Sequence, residues 1–102
     1  MAGNELVRAC EQYLKMKGIF HYRNNSGAMV SEYKGKQRFM RFGAVGSPDI
    51  VAVINGQYVG IECKMGKGRQ SSNQKEFEQN LLKAGGAYWL IRDVQELIIK
   101  LL

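Results

Sequence analysis

The chain contains little cysteine, histidine or proline: its 102 residues include two cysteines, one histidine and one proline. Zinc sites need a cluster of Cys or His ligands, whereas Cys10 and Cys63 are far apart in the sequence and outside any CxxC spacing. We therefore expect neither a zinc site nor a disulfide, and we interpret both cysteines as small buried residues in a reducing compartment. His21 fits a half-buried strand position better than a catalytic one.

Long apolar runs are absent as well. No stretch reaches the roughly 18 residues that a membrane-spanning helix needs, and residues 1–5 lack the basic and apolar segments of a secretory signal. We expect a cytoplasmic protein with no membrane partner. Because a chain of 102 residues supports one modest hydrophobic core, we predict a single domain over residues 1–102.

Acidic residues are outnumbered: 15 Lys and Arg face 9 Asp and Glu, which gives a net charge of +6. Such a balance is typical of proteins that bind a polyanion, because phosphate contacts release counterions, although a basic surface also serves solubility alone. The basic residues concentrate between positions 23 and 41 and between 64 and 69. The candidate DNA-binding residues are Arg23, Lys34, Lys36, Arg38, Arg41, Lys67 and Arg69.

The hydrophobic pattern predicts an α/β fold, a mixed β-sheet flanked by helices. Apolar residues at helical spacing predict a first helix over 5–17 that ends at Gly18, and a strand follows over 19–23. Residues 28–46 are harder to assign. We expect a hairpin or a long loop there, with a short strand near 38–42.

The C-terminal part alternates helices with a strand. Ser71 and Gln74 form a capping-box pattern that predicts a helix over 72–84. A buried strand over 87–91 follows, and Asp93 with Glu96 begins a last short helix. The predicted order of elements is roughly α-β-β-β-α-β-α.

The clearest local pattern is a β-hairpin in the middle of the chain. A β-branched run over 50–54 precedes Asn55-Gly56, the dipeptide that type I′ turns favour because both central residues need a positive φ. The returning strand is predicted over 57–64. A two-residue turn fixes the pairing of the two strands residue by residue.

Counting outward from that turn places Asp49 opposite Glu62, and opposed side chains share one face of the sheet. Because side chains alternate along a strand, Lys64 joins them on this face while Ile61 and Cys63 point to the other. The sequence thus predicts two carboxylates and an amine together at the open end of the hairpin.

Two close carboxylates repel each other unless one is protonated or a cation lies between them. Their hard oxygens suit Mg²⁺ or Mn²⁺, and such an ion activates water for attack on phosphorus. Lys64 would orient that water or help to deprotonate it, or balance charge in the transition state. The alternative is a surface strand whose charges only pair with neighbours, but Gly46 and Pro48, just before Asp49, favour an interrupted ladder that a ligand can approach.

Four segments form a recognisable set: Gly-Ser-Pro-Asp-Ile at 46–50, Ile-Glu-Cys-Lys at 61–64, Gly-Arg-Gln-Ser-Ser-Asn-Gln at 68–74, and Gly85-Gly86. Together they resemble a VRR-NUC domain of the PD-(D/E)xK nucleases, the restriction-endonuclease-like superfamily. The resemblance extends to the first helix and to residues 25–28 and 90–93, so it spans nearly the whole chain.

The resemblance implies a metal site with catalytic side chains around it. Asp49 and Glu62 would be ligands of Mg²⁺ or Mn²⁺, the carbonyl of Cys63 a third ligand, and Lys64 the catalytic lysine. A further glutamate would come from the first helix. Glu5 is our first choice.

Three other positions are implied less directly. Glu11 is the alternative to Glu5, because one sequence cannot fix how the helix is rotated. Gln74 would bind near the site, or act only as a capping residue. The family's namesake motif is only partly kept at 91–93, which leaves Arg92 as a candidate contact.

Stand-alone VRR-NUC domains resemble phage and bacterial enzymes that cleave branched DNA, including four-way junctions, as homodimers. A small domain offers one active site, and resolving a junction needs two symmetric cuts, which a two-fold dimer supplies. The resemblance therefore implies a structure-selective, metal-dependent endodeoxyribonuclease in the cytoplasm of a bacterium or phage-infected cell. Two alternatives stay open: a monomeric flap or nicking nuclease, and a DNA-binding module without catalysis.

Overall fold

The computed structural model describes residues 3–24, 28–33, 35–41 and 44–102. These residues form an α/β fold. In chain order the elements are α1 Gly3–Met16, β1 His21–Arg23, β2 Ala28–Tyr33, β3 Lys36–Arg41, β4 Ile50–Ile54, β5 Gln57–Cys63, α2 Ser72–Lys83, β6 Ala87–Ile91 and α3 Val94–Lys100.

The main sheet has the strand order β1-β4-β5-β6. Its first three strands are antiparallel neighbours, and β6 pairs with β5 in parallel, so the sheet is mixed. The predicted fold class is confirmed. The segment that was hard to assign is a hairpin of β2 and β3, which form a separate two-stranded sheet, and β3 is longer than the short strand expected there.

The hydrophobic core lies on the face of the sheet that packs against α1 and α3. Helix α1 contributes apolar residues at helical spacing, and β4, β5 and β6 contribute alternate residues, as their periods require. A fully buried Leu or Ile side chain contributes about 1.5–3 kcal/mol to folding. The larger fully buried aliphatic residues of this core are Leu6, Leu14, Ile50, Val59, Ile61, Ile91 and Leu97.

The predicted central hairpin is present with the predicted register. Asn55 has φ 52° and Gly56 has φ 78°, as a type I′ turn requires. From this turn the pairs run outward, from Ile54 with Gln57 to Ile50 with Ile61. Beyond the last pair, at the open end of the hairpin, the next residue on each side is an acid: Asp49 before Ile50 and Glu62 after Ile61.

Helix α2 lies on the opposite face of the sheet from α1 and α3. Its N-terminus has the predicted capping box: Gln74 N donates to Ser71 Oγ (3.2 Å), and Ser71 N donates to Gln74 Oε1 (2.9 Å). Leu81 of this helix packs over Gly60 of β5. Asp93 and Glu96 cap α3 in the same reciprocal way.

The boundaries of two helices differ slightly from the prediction. Helix α1 begins at Gly3 and ends at Met16, before Gly18 with φ +71°. Helix α2 ends at Lys83, one residue early. Of the helices in the described ranges, none is both long and apolar enough to cross a bilayer.

Candidate active site

The candidate site begins where the β4–β5 ladder stops. Pro48 has no amide hydrogen to donate, and its carbonyl accepts from Asn24 Nδ2 (3.1 Å). The backbone pairing therefore ends at Ile50. Beyond Ile50, the side chain of Asp49 takes the place of a backbone acceptor, because Cys63 N donates to Asp49 Oδ2 (2.8 Å).

Asn24 holds Asp49 from the other side. Its backbone N donates to Asp49 O (2.7 Å), and its side-chain amide also donates to Ser47 Oγ (2.8 Å). Sequence reasoning missed Asn24, whose only signal was its position in a cluster of turn residues after β1. The β1–β4 pairing thus fixes the backbone of the first acid.

Glu62 is the more deeply buried of the two acids, with 3% of its surface exposed. Burial raises the pKa of Glu62 from 4.5 to about 8, and the negative charge of Asp49 and a hydrogen-bonding contact with it add to the rise. The Lys64 ammonium and hydrogen bonding by Gln74 lower the pKa in part. At neutral pH this carboxyl is therefore mostly protonated unless a further cation compensates it.

Lys64 lies next to Glu62, as the alternation of the strand predicted. Its Nζ is 3.9 Å from Glu62 Oε1, and its side chain is 22% exposed. The backbone N of Lys64 donates to Ile91 O (3.0 Å), which extends the pairing with β6 one residue past the end of β5. The amine thus has a fixed base and a tip that is partly open to solvent.

Gln74 is the predicted capping residue, and a binding role at the site stays a prediction. Its Oε1 accepts the capping hydrogen bond from Ser71 N, and its side chain also influences Glu62. Because Oε1 accepts the capping bond, the NH₂ group of the same amide is available as a donor toward the carboxylate.

Gly46 is what brings the N-terminus of α2 against the start of β4. Its φ is +80°, and a Cβ atom there would collide with the backbone carbonyl of Asn73. Only glycine allows both the left-handed backbone and this close approach. The glycine therefore contributes to placing Gln74 beside Glu62.

One oxygen of Glu62 is left without a partner. Within the described ranges, its buried Oε2 forms no hydrogen bond. A buried carboxylate oxygen without a partner is costly, and a bound cation would satisfy it.

The donor set fits a hard divalent cation better than zinc. Mg²⁺ commonly binds through one or two carboxylates and keeps several waters, and Asp49 and Glu62 supply two carboxylates. The described part of the chain holds no group of three or more His, Cys, Asp or Glu suited to a metal. A third protein ligand would thus be a backbone oxygen, and the carbonyl of Cys63 stays a prediction.

The thiol of Cys63 points to the opposite face of the sheet, as predicted. Its Sγ lies 4.0 Å from the Sγ of Cys10 in α1, and both cysteines are free. Two cysteines distant in sequence are therefore neighbours in the core. This contact lies on the face of the sheet opposite the candidate site.

The two glutamates proposed for the first helix are in different environments. Glu11 pairs with Arg23 of β1 (Nε to Oε1, 2.6 Å), and Glu5 is exposed in the first turn of α1. Within the residues that the structure covers, neither forms an ion pair or hydrogen bond with Asp49 or Glu62. The choice between Glu5 and Glu11 stays a prediction.

The candidate DNA-binding residues are distributed over several elements. Lys67 and Arg69 are exposed in the loop between β5 and α2, Lys36 is exposed at the start of β3, and Arg23 is paired with Glu11. Arg38 and Arg41 belong to β3; their side chains, and the whole of Lys34, are outside the described residues.

Arg92 contacts the protein's own chain. Its Nη1 donates to Gly66 O (2.9 Å), and Gly68 N donates to Met65 O (2.9 Å) within the same loop. These bonds hold the loop that carries Lys67 beside the candidate site. A contact of Arg92 with DNA stays a prediction.

No model of a known protein family matches the chain, and no curated protein matches it. Its function is therefore inferred from its own residues and their geometry.

Proposed function

We propose that this protein is a metal-dependent endonuclease that hydrolyses phosphodiester bonds in DNA. The observation that carries the proposal is Glu62, a buried carboxyl with an unpartnered Oε2 beside Asp49 and 3.9 Å from the Lys64 amine. The resemblance of 46–50 and 61–64 to VRR-NUC motifs supports the same activity.

Asp49 and Glu62 would hold Mg²⁺ or Mn²⁺, with the Cys63 carbonyl as a third ligand. When bound, such an ion supplies an activated water and stabilises charge on the phosphate. The chain's own residues prepare this site. Asn24 fixes the backbone of Asp49. Glu62 is buried, so little solvent competes with a cation for its carboxylate.

Lys64 and Gln74 would act on charge and orientation. The ammonium of Lys64 is a fixed positive charge beside the carboxylates, suited to balancing the negative charge that grows on a phosphate oxygen. Gln74 is held by its capping bond with Ser71, so its amide can orient Glu62 without moving. Glu5, or Glu11 in its place, would complete the set from α1.

The net charge of +6 supports a polyanionic substrate. The exposed Lys67 and Arg69 lie in the loop that directly follows Lys64, where a phosphate backbone that enters the site would pass. For the finer substrate we propose branched DNA, cut by a homodimer that offers two symmetric sites.

A cleavage panel tests the activity. Labelled four-way junctions, flaps and linear duplexes are incubated with wild type, Asp49→Asn, and Glu76→Gln, which alters an exposed acid of α2 as a matched control. We expect wild type and Glu76→Gln to cut branched DNA in Mg²⁺ or Mn²⁺, and Asp49→Asn not to cut. Absence of cleavage of every substrate in both metals would refute the proposal.

Lys64→Ala separates catalysis from binding, with the exposed Lys75→Ala as its control. Cutting should be lost in Lys64→Ala, while salt-dependent DNA binding stays close to wild type. Loss of binding together with cutting would show that Lys64 serves mainly as a DNA contact. Sedimentation at the assay concentration tests the dimer, because a monomer argues for a flap or nicking nuclease.

A further inference from the structure

Two buried side-chain atoms lack hydrogen-bond partners in the described chain: Glu62 Oε2 and the Tyr88 hydroxyl. They lie on neighbouring parallel strands. Tyr88 of β6 pairs with Gly60 of β5, and Leu90 pairs with Glu62. Since paired residues share a face and side chains alternate, Tyr88 lies on the face of Glu62, one step back along the strands.

The Tyr88 hydroxyl lies on a strand that α2 contacts, within electrostatic range of three acids. Burial raises the pKa of Tyr88 to about 12; the nearby Gln70 amide lowers it in part, and the negative charges of Glu62, Glu78 and Asp49 raise it further. The hydroxyl therefore keeps its proton throughout the physiological pH range. It is a buried donor that lies within electrostatic range of a buried acceptor.

The other polar groups nearby are partly engaged with each other. Gln70 Nε2 donates to Glu78 Oε1 (3.1 Å), which bridges the loop before α2 to its middle. A buried donor or acceptor that makes no hydrogen bond costs about 1–3 kcal/mol. The Tyr88 hydroxyl is a donor and Glu62 Oε2 an acceptor, both on the same face and both without a partner in the described chain, so each could satisfy the other.

We propose that Tyr88 is a positioning residue for the metal site, donating a hydrogen bond to the Glu62 carboxylate when a divalent cation is bound there. This inference rests on the proposed function. One carboxylate oxygen would then be held by the hydroxyl, and the other would face the cation and Lys64. Supporting groups of this kind typically change metal affinity about 10–100-fold when removed.

A purely structural role is the rival explanation. In that case the Tyr88 hydroxyl would bond to Glu78 or Gln70 and only hold α2 against β6. Such a contact would affect stability but would leave the affinity for the cation unchanged.

Mn²⁺ binding, measured by calorimetric titration without DNA, tests the proposal. Tyr88→Phe removes only the hydroxyl. Tyr58→Phe is the matched control, because Tyr58 is half-buried on the same face of β5, and its pKa is raised by burial and by Tyr22 rather than by the acids. We expect Mn²⁺ affinity to fall about tenfold in Tyr88→Phe and to stay unchanged in Tyr58→Phe.

The same titration in a Glu78→Gln background separates the two partners. A hydrogen bond to Glu62 predicts that Tyr88→Phe still weakens binding there, whereas an effect that vanishes in this background would overturn the proposal. Equal affinity of Tyr88→Phe and wild type would overturn it as well. Failure of wild type to bind Mn²⁺ would contradict the proposed function itself, and this inference with it.

A second measurement uses the wild-type protein, so it does not depend on whether a variant folds. Addition of Mg²⁺ should slow the solvent exchange of the Tyr88 hydroxyl proton in NMR spectra and move its signal downfield. An exchange rate and shift that do not respond to Mg²⁺ would overturn the proposal.

Discussion

The two faces of the main sheet differ in what they bury. On the α1–α3 face the sheet contributes aliphatic side chains such as Ile50, Ile61 and Ile91, each with 0% of its surface exposed. On the α2 face it contributes Glu62 and Tyr88, whose buried oxygens lack hydrogen-bond partners in the described chain. Two neighbouring residues of β5 therefore differ in role: Ile61 belongs to the apolar core and Glu62 to the candidate site.

The difference separates stability from chemistry within a small chain. Apolar burial on one face stabilises the fold. On the other face, Glu62 is shielded from water, and a bound cation would compensate its charge. Strained or unsatisfied groups persist only where the surroundings hold them in place. Substitutions on the two faces should thus have different and separable consequences.

The largest expected effect is on activity, from Glu62→Gln. The amide keeps the shape of the side chain but cannot ionise, so DNA cleavage should fall at least about 100-fold. Folding stability at neutral pH should stay equal or rise, because the amide, unlike the buried carboxyl, does not have to bind a proton on folding. Gel-based cleavage and urea unfolding check both halves, and retained cleavage would mean that the carboxylate is not a ligand.

Ile61→Ala, one residue earlier on the same strand, should show the reverse pattern. Removing a fully buried isoleucine from the other face costs about 2–5 kcal/mol of unfolding free energy. Cleavage per folded molecule should stay within a few-fold of wild type. If cleavage is lost while the protein remains folded, the two faces are not independent.

A smaller effect is expected where α2 meets the start of β4. Gly46→Ala meets both a positive φ and the backbone of Asn73, whereas Gly56→Ala meets a positive φ in open space. A left-handed non-glycine residue alone costs about 1–2 kcal/mol, so Gly46→Ala should cost more than Gly56→Ala and should also lower cleavage. Equal unfolding free energies for the two variants would contradict this close approach.

A structural feature can be predicted from the sequence when the residues that determine it are close together in the chain. The Asn55-Gly56 turn fixes the register of its own hairpin, so the meeting of Asp49, Glu62 and Lys64 follows from counting. The influence of Gln74 on Glu62 does not follow in this way. It depends on how α2 packs against the strand that begins at Ile50.

Other features are equally non-local. Which glutamate of α1 lies nearer the site depends on how the helix is placed behind the sheet, where Cys10 meets Cys63. The burial of Tyr88 depends on α2 as well. Strands β2 and β3 form a hairpin where the sequence left a hairpin or a long loop open, because this segment lacks a strong apolar alternation that would mark both strands.

A pH dependence of stability is also expected. The pKa of Glu62 is about 8 in the folded protein, against an ordinary value of 4.5, so the folded state binds more protons than the unfolded state between these values. Without divalent cations, unfolding free energy should therefore decrease as pH rises from 4.5 toward 8. Glu62→Gln should show a flatter profile in urea unfolding, and identical profiles would contradict a raised pKa.

Thermal unfolding at pH 8 over a series of Mn²⁺ concentrations tests most directly whether Asp49 and Glu62 form a cation site. A ligand that binds only the folded state raises the unfolding temperature as its concentration increases. We predict a rise for wild type that is absent from both Asp49→Asn and Glu62→Gln. A wild-type unfolding temperature that does not respond to Mn²⁺, or variants that respond as wild type does, would contradict the site and the proposed chemistry with it.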